Sequence, residues 1–182
     1  MSGEGLAQSQ AALDRFDRGA PVPLEELVGR WRGSGYPTGH PFDGLLEDYG
    51  WYGKEFLSPE EVHPLLFRDR AGVPRPVNPG VAPFGLVQRA PLLARLAGAR
   101  QAFAAVRPLL WTSRSAARLR LLEHRGTVTA ALIYDALPII DVFRRVNQDT
   151  LLGLMDMRGV GQPLFFLLRR DVPRPDRLES PA

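Results

Sequence analysis

Ala117-Arg118-Leu119-Arg120-Leu121-Leu122-Glu123-His124, then Arg125-Gly126, then Thr127-Val128-Thr129-Ala130-Ala131-Leu132-Ile133-Tyr134, is the stretch that decides the fold. Two extended, β-prone runs meet at a two-residue turn, which is the pattern of a β-hairpin. A second pair follows, Thr150–Met157 and Leu164–Arg170, around the turn-forming Gly159-Val160-Gly161-Gln162-Pro163. Splitting Leu151-Leu152-Gly153-Leu154-Met155 or Leu164-Phe165-Phe166-Leu167-Leu168 by parity leaves apolar residues on both faces, so neither face can stay wet. One face is expected to line an apolar cavity and the other to be covered by helices. The fold class is therefore mainly β, antiparallel, with flanking helices.

Toward the N-terminus the punctuation becomes denser. Gly29-Arg30-Trp31-Arg32-Gly33-Ser34-Gly35-Tyr36 alternates as a strand, with glycines where another backbone must come close. Before it, Pro21-Val22-Pro23 sets up Leu24–Val28 as a helical turn. Residues 1–20 are small and polar, with a short helix around Leu13 and Phe16, and their tip is expected to be mobile. Ser58-Pro59-Glu60-Glu61 carries the signals of a helix start, which Pro64 must cut short. Pro74, Pro76, Pro79 and Pro83 make residues 70–83 a long loop. Pro91–Val106 reads as a helix, with Leu92, Leu96, Ala99, Phe103 and Val106 on one arc and Arg89, Arg95, Arg100 and Arg107 along its borders.

Glycine (18) and proline (17) together make up about 19% of the 182 residues, against an average nearer ~12%, which argues against a helical bundle. The absence of cysteine removes disulfides, thiolate metal sites and cysteine nucleophiles, and fits a reducing, cytoplasmic location. Met1–Gln10 lacks a basic and apolar leader, and no run nears the ~18 apolar residues of a spanning helix. The net charge of +3 hides segregation. Residues 1–67 carry 5 basic and 11 acidic side chains, whereas residues 68–125 carry 11 arginines against Asp69 and Glu123. The middle third lacks the interleaved aromatics of a nucleic-acid reader, so no nucleic-acid partner is expected. An anionic lipid surface is the better match for its arginines, and a solvated face balancing the acidic third is the plainer reading. Of the 23 basic residues 22 are arginine. Lys54 is the exception, and it suggests that a compact, titratable ammonium is wanted there.

Gly29-Arg30-Trp31-Arg32-Gly33, with Thr38-Gly39-His40, Leu46-Glu47 and Trp51-Tyr52-Gly53-Lys54, resembles the GXWXG family. Ala117-Arg118-Leu119-Arg120, Tyr134-Asp135, Pro138-Ile139-Ile140-Asp141, Phe143-Arg144 and Gly153-Leu154-Met155-Asp156 resemble the DUF4334 domain that accompanies it. The matched segments span roughly residues 24–70 and 115–172. The GXWXG start also looks like the first strand of lipocalin-like and nitrobindin-like barrels, which implies a small antiparallel lipocalin-like β-barrel with an internal pocket. The chain then divides into a flexible segment 1–23, the GXWXG segment 24–70, a Pro-rich loop and amphipathic helix 71–114, the DUF4334 β-rich segment 115–172 and a tail 173–182, with 24–172 folding as one barrel. In such a barrel Trp31 plugs one end, with Arg169 or Arg170 stacked on its face.

The lumen so implied would hold a lipophilic small molecule, fatty acid or phospholipid-like, against Trp51, Tyr134, Leu152, Leu154, Met155, Phe165 and Phe166. No cofactor is expected: the histidines are His40, His63 and His124, and none lies late enough for a nitrobindin-type haem ligand. His40, Asp43 and Glu47 match no metal-ligand motif, so no metal is expected either. Acid–base catalysis on a lipophile is the enzymatic alternative, with Asp135 and Asp141 converging at the mouth and Lys54 or His40 completing the set. The structural reading of the same residues is that Asp135 stabilises a turn and Asp141 caps a short Val142–Val146 helix. A third possibility is an interaction module whose barrel is filled by its own side chains.

Overall fold

In the computed structural model, which describes residues 3–80 and 95–171, the strands form one antiparallel sheet that closes on itself. In chain order they are β1 (Gly29–Gly35), β2 (Trp51–Phe56), β3 (Val62–Arg68), β4 (Pro74–Pro76), β5 (Ala117–His124), β6 (Thr127–Tyr134), β7 (Ile139–Asn147), β8 (Thr150–Met157) and β9 (Leu164–Arg170). Their spatial order is β1-β2-β3-β5-β6-β7-β8-β9, with β9 returning to β1, so eight strands make a closed barrel and β4 adds to β3 outside it. Closure removes the free edges that an open sheet would expose. The β3–β5 seam has a single registered pair, Val62 with Ala117.

The two hairpins read from sequence are present with the expected bounds, and Arg125-Gly126 joins His124 to Thr127. Several elements differ from expectation. Ser58–Glu61 is the β2–β3 turn and not a helix start: Ser58 and Glu61 exchange backbone hydrogen bonds. Val62–Phe67 behind them is a buried strand. Pro64 survives inside it because the β2–β3 register slips between Gly53 and Glu55, where no ladder donor is needed. The Val142–Val146 helix does not form, and Asp141 caps nothing. Ile139–Asn147 is a strand paired on both sides, because partner strands outweigh the local preference of five residues. Within the proline-rich stretch, Pro74–Pro76 forms a short outer strand, a place where missing donors cost little.

Helices cover the barrel at three places. α1 (Gly3–Asp17), in the segment expected to be flexible, lays Ala12 and Phe16, both essentially unexposed, over Ala131, Val142, Leu152, Leu154 and Phe165. Asp17 at its end forms a two-pronged pair with Arg125 of the β5–β6 turn. α2 (Leu24–Leu27) closes one end of the barrel; its Leu27 carbonyl accepts a 2.7 Å hydrogen bond from the Trp31 indole. Arg170 stacks 4.3 Å from the Trp31 ring centroid, so Trp31 plugs this end as anticipated. α3 (Leu45–Asp48) lies at the other end. α4 (Ala99–Val106) is shorter than the helix expected over Pro91–Val106: Arg95–Gly98 are not α-helical, Gly98 with φ 86° stands at the helix start, and residues 91–94 lie outside the described residues. Its Phe103 packs on Tyr49 and Phe67, while Arg95, Arg100 and Arg107 reach Pro41, Asp43, Asp48 and Tyr49. These arginines tie the middle segment to the loop beside α3. No helix among the described residues is long and apolar enough to cross a membrane.

Candidate functional site

Alternation along β6 to β9 points Tyr134, Ile139, Asp141, Met155, Met157, Leu164 and Phe166 into the barrel. The α2 end is filled: Phe56 meets Phe143 edge-on at 6.0 Å, and Phe143 meets Phe166 at 6.3 Å. Toward the α3 end a cavity of about 60 Å³ remains, walled by those strands and by Phe42, Leu45, Leu46, Trp51, Leu65 and Leu137. Two missing side chains shape the ring walls. A Cβ on Gly33 would collide with the Trp51 indole, and one on Gly153 with the Phe166 ring. The second glycine of the GXWXG motif is thus the seat of Trp51, and Trp51 and Phe166 meet edge-on at 6.0 Å.

One polar cluster interrupts the apolar wall. Lys54 projects from β2 and Asp141 from β7, four strands apart around an eight-stranded barrel, so they stand on opposite walls. Lys54 Nζ nevertheless lies 2.7 Å from Asp141 Oδ2, with side chains only 3% and 1% exposed. The pair is a strut across the lumen. Nζ also donates to the Pro64 carbonyl and the Tyr134 hydroxyl, each at 3.1 Å, and lies 5.1–5.8 Å from the ring centroids of Phe166, Tyr134 and Trp51. Burial pushes the Asp141 carboxyl above its usual range, with the Lys54 ammonium pulling it back. Burial, and then the Asp141 charge, hold the Tyr134 phenol proton well above its usual range. Lys54 and the Tyr134 hydroxyl both hydrogen-bond the Asp141 carboxyl, so the three side chains form one buried polar cluster in the cavity wall.

Of the residues expected to line the lumen, Trp51, Tyr134, Met155 and Phe166 do so. Leu152, Leu154 and Phe165 do not; they face outward beneath α1. Of the chemical candidates, Lys54 and Asp141 come together. Asp135 is 43% exposed and ion-paired with Arg118 at 2.6 Å, so it does not converge with Asp141. His40 is buried behind Phe42, its Nδ1 accepting from the Phe42 amide, and burial lowers its proton affinity. Asp43 accepts from the Thr38 and His40 amides, and Glu47 from the Gly35 amide. The wall residues Phe42, Leu45, Leu46, Leu65, Leu137, Ile139, Met157 and Leu164 were missed. Most lie in or beside turns, where apolar residues carry no period.

Residues 14–72 match the family described as GXWXG protein, and residues 115–170 match the one described as domain of unknown function (DUF4334). Among solved structures, the chain is similar to the crystal structure of a protein from Thermomonospora curvata. The two are 33% identical over 92% of this chain and 93% of that one, with a TM-score of 0.64. No curated protein matches the chain.

Proposed function

We propose that this chain, which belongs to the family joining a GXWXG segment to a DUF4334 domain, is a binding protein for a small lipophilic molecule held in the α3 half of its barrel. The observation that supports this reading is an apolar cavity whose wall carries one buried polar cluster, Lys54–Asp141–Tyr134. Ligand sites have that composition: apolar walls supply affinity, and a few fixed polar groups supply orientation.

The cluster also selects among lipophiles. Lys54 is already neutralised by Asp141, so a fatty-acid carboxylate would arrive as an uncompensated charge beside a buried carboxylate. The cavity of about 60 Å³ is also well below the ~300–1,000 Å³ typical of ligand pockets, which leaves no room for a long acyl chain. Both points favour a short, neutral guest with a hydroxyl or carbonyl head over the fatty acid or phospholipid-like guest suggested by the barrel resemblance. In calorimetric titrations pentan-1-ol is expected to bind saturably and octanoate to bind at least tenfold more weakly. Met155→Phe, which fills the cavity from β8, should abolish binding of the alcohol in a folded protein. Equal binding of octanoate would refute the neutral-guest reading, and undiminished binding to Met155→Phe would refute the location.

A further inference from the structure

We propose that Lys54 is a carbonyl-capture site, its Nζ forming a reversible imine with a short lipophilic aldehyde that enters the cavity beside Tyr134 and Phe166. The inference rests on the pocket reading above and names the class of guest.

Lys54 is the only lysine in a chain with 22 arginines, and it is the basic residue set in the cavity wall. A carboxylate partner alone does not account for that choice. Arginine pairs with carboxylates through two parallel hydrogen bonds, and elsewhere in this chain it does so, as Arg125 does with Asp17. What arginine cannot do is give up its proton and attack carbon, whereas a desolvated lysine amine is a nucleophile toward carbonyls.

The three contacts of Nζ supply the remaining parts. Asp141 Oδ2, 2.7 Å away, receives one ammonium proton and frees the nitrogen lone pair. That pair forms a C–N bond to the aldehyde carbon, and the C=O π electrons move onto oxygen. The Tyr134 hydroxyl, 3.1 Å from Nζ, gives that oxygen a proton and regains one from the nitrogen, leaving a neutral carbinolamine. The C–O bond then breaks, the departing hydroxyl takes the proton held by Asp141 and leaves as water, and the nitrogen lone pair forms the C=N bond. Ammonium plus aldehyde thus becomes a protonated imine plus water, with no oxidant or reductant. The cation still faces the Asp141 carboxylate, so the buried charge balance is conserved. Burial, which raises the proton affinity of Asp141 and keeps the Tyr134 phenol protonated, suits both groups to these roles. The Pro64 carbonyl, 3.1 Å from Nζ, holds the nitrogen in place throughout.

The test is reductive trapping. The full chain is incubated with pentanal and cyanoborohydride, and the peptide carrying Lys54 is analysed by mass spectrometry, with pentan-1-ol titrated in parallel. Because the chain has one lysine, the N-terminal amine serves as an internal control for non-specific modification. The expected result is saturable alkylation of Lys54 at pentanal concentrations that leave the N-terminal amine unmodified, with suppression by excess pentan-1-ol. Tyr134→Phe should slow trapping at saturating pentanal by about 100-fold, and an unchanged rate would overturn the proton-transfer role of Tyr134. If pentan-1-ol binds but Lys54 stays unmodified, or reacts only in step with the N-terminal amine, the capture inference is overturned and the pocket reading stands. If neither compound binds, both are overturned.

Discussion

β8 and β9 carry two apolar faces that differ less in composition than in what covers them. Met155, Met157, Leu164 and Phe166 point inward and border the cavity, whereas Leu152, Leu154 and Phe165 point outward and lie under Ala12 and Phe16 of α1. The outer face is packed to contact: Phe165 is fully buried and meets Phe16 and Tyr36 edge-on, each at 6.4 Å. The inner face borders the cavity, next to the strut by which Lys54 of β2 reaches Asp141 of β7 across the lumen. The contrast separates two uses of hydrophobicity within the same fifteen residues. The outer face stabilises the fold, and the inner face borders a cavity that the side chains do not fill.

The largest effect should come from breaking the strut. Asp141→Ala leaves the Lys54 ammonium buried without its counter-charge and should cost about 3–5 kcal/mol of stability, measured by chemical denaturation. A loss below about 1 kcal/mol would mean that the pair is not desolvated in solution. The next largest effects sharpen the comparison directly. Phe165→Ala should destabilise by about 3–5 kcal/mol and leave pentan-1-ol binding unchanged. Phe166→Ala, beside existing empty space, should cost less and shift preference toward bulkier alcohols. Equal losses of stability and equal binding in the two variants would erase the distinction between the faces.

The smallest effect expected is a pH dependence. Burial lowers the proton affinity of His40, His63 and His124 in the folded chain. Below their ordinary value of about 6.5 the unfolded chain therefore binds protons that the folded chain does not. Stability from these groups is present above that value and is lost as pH falls through the lowered folded values. Asp141, shifted upward by burial, acts in the opposite sense above its unfolded value. The difference between the protein and its His63→Gln variant isolates the histidine part. That difference should narrow as pH falls from 7.5 to 5.5, in melting temperatures measured across the range, and a constant offset would contradict it.

Most of the barrel was legible in the sequence where two strands share a short turn. The β5–β6 and β8–β9 hairpins announce themselves through alternation and glycine punctuation. β3 and β7 were hidden because each carries a residue that argues locally for something else. Pro64 argues against a strand, and Asp141 before Val142 argues for a helix cap; pairing on both sides overrides both signals. The site was half legible. The lone lysine singled out Lys54, and the spacing from Asp135 across the Leu137-Pro138 turn singled out Asp141, but the meeting of Lys54 and Asp141 depends on closure of the barrel, which puts β2 opposite β7. Parity established that β8 and β9 have two apolar faces, but not which face looks inward. That was decided by α1, whose small polar sequence gave no hint that Phe16 would cover Phe165.

The central claim, that a small neutral lipophile enters the lumen and not the α1 interface, is tested most directly through the methionine methyl groups. Met155 and Met157 both border the cavity, so with methyl-labelled methionine their NMR signals report on it from inside. Titration with pentan-1-ol should shift both signals saturably, with the same midpoint as the calorimetric binding curve. Signals that stay fixed while the alcohol binds, or that drift linearly without saturating, would contradict the claim.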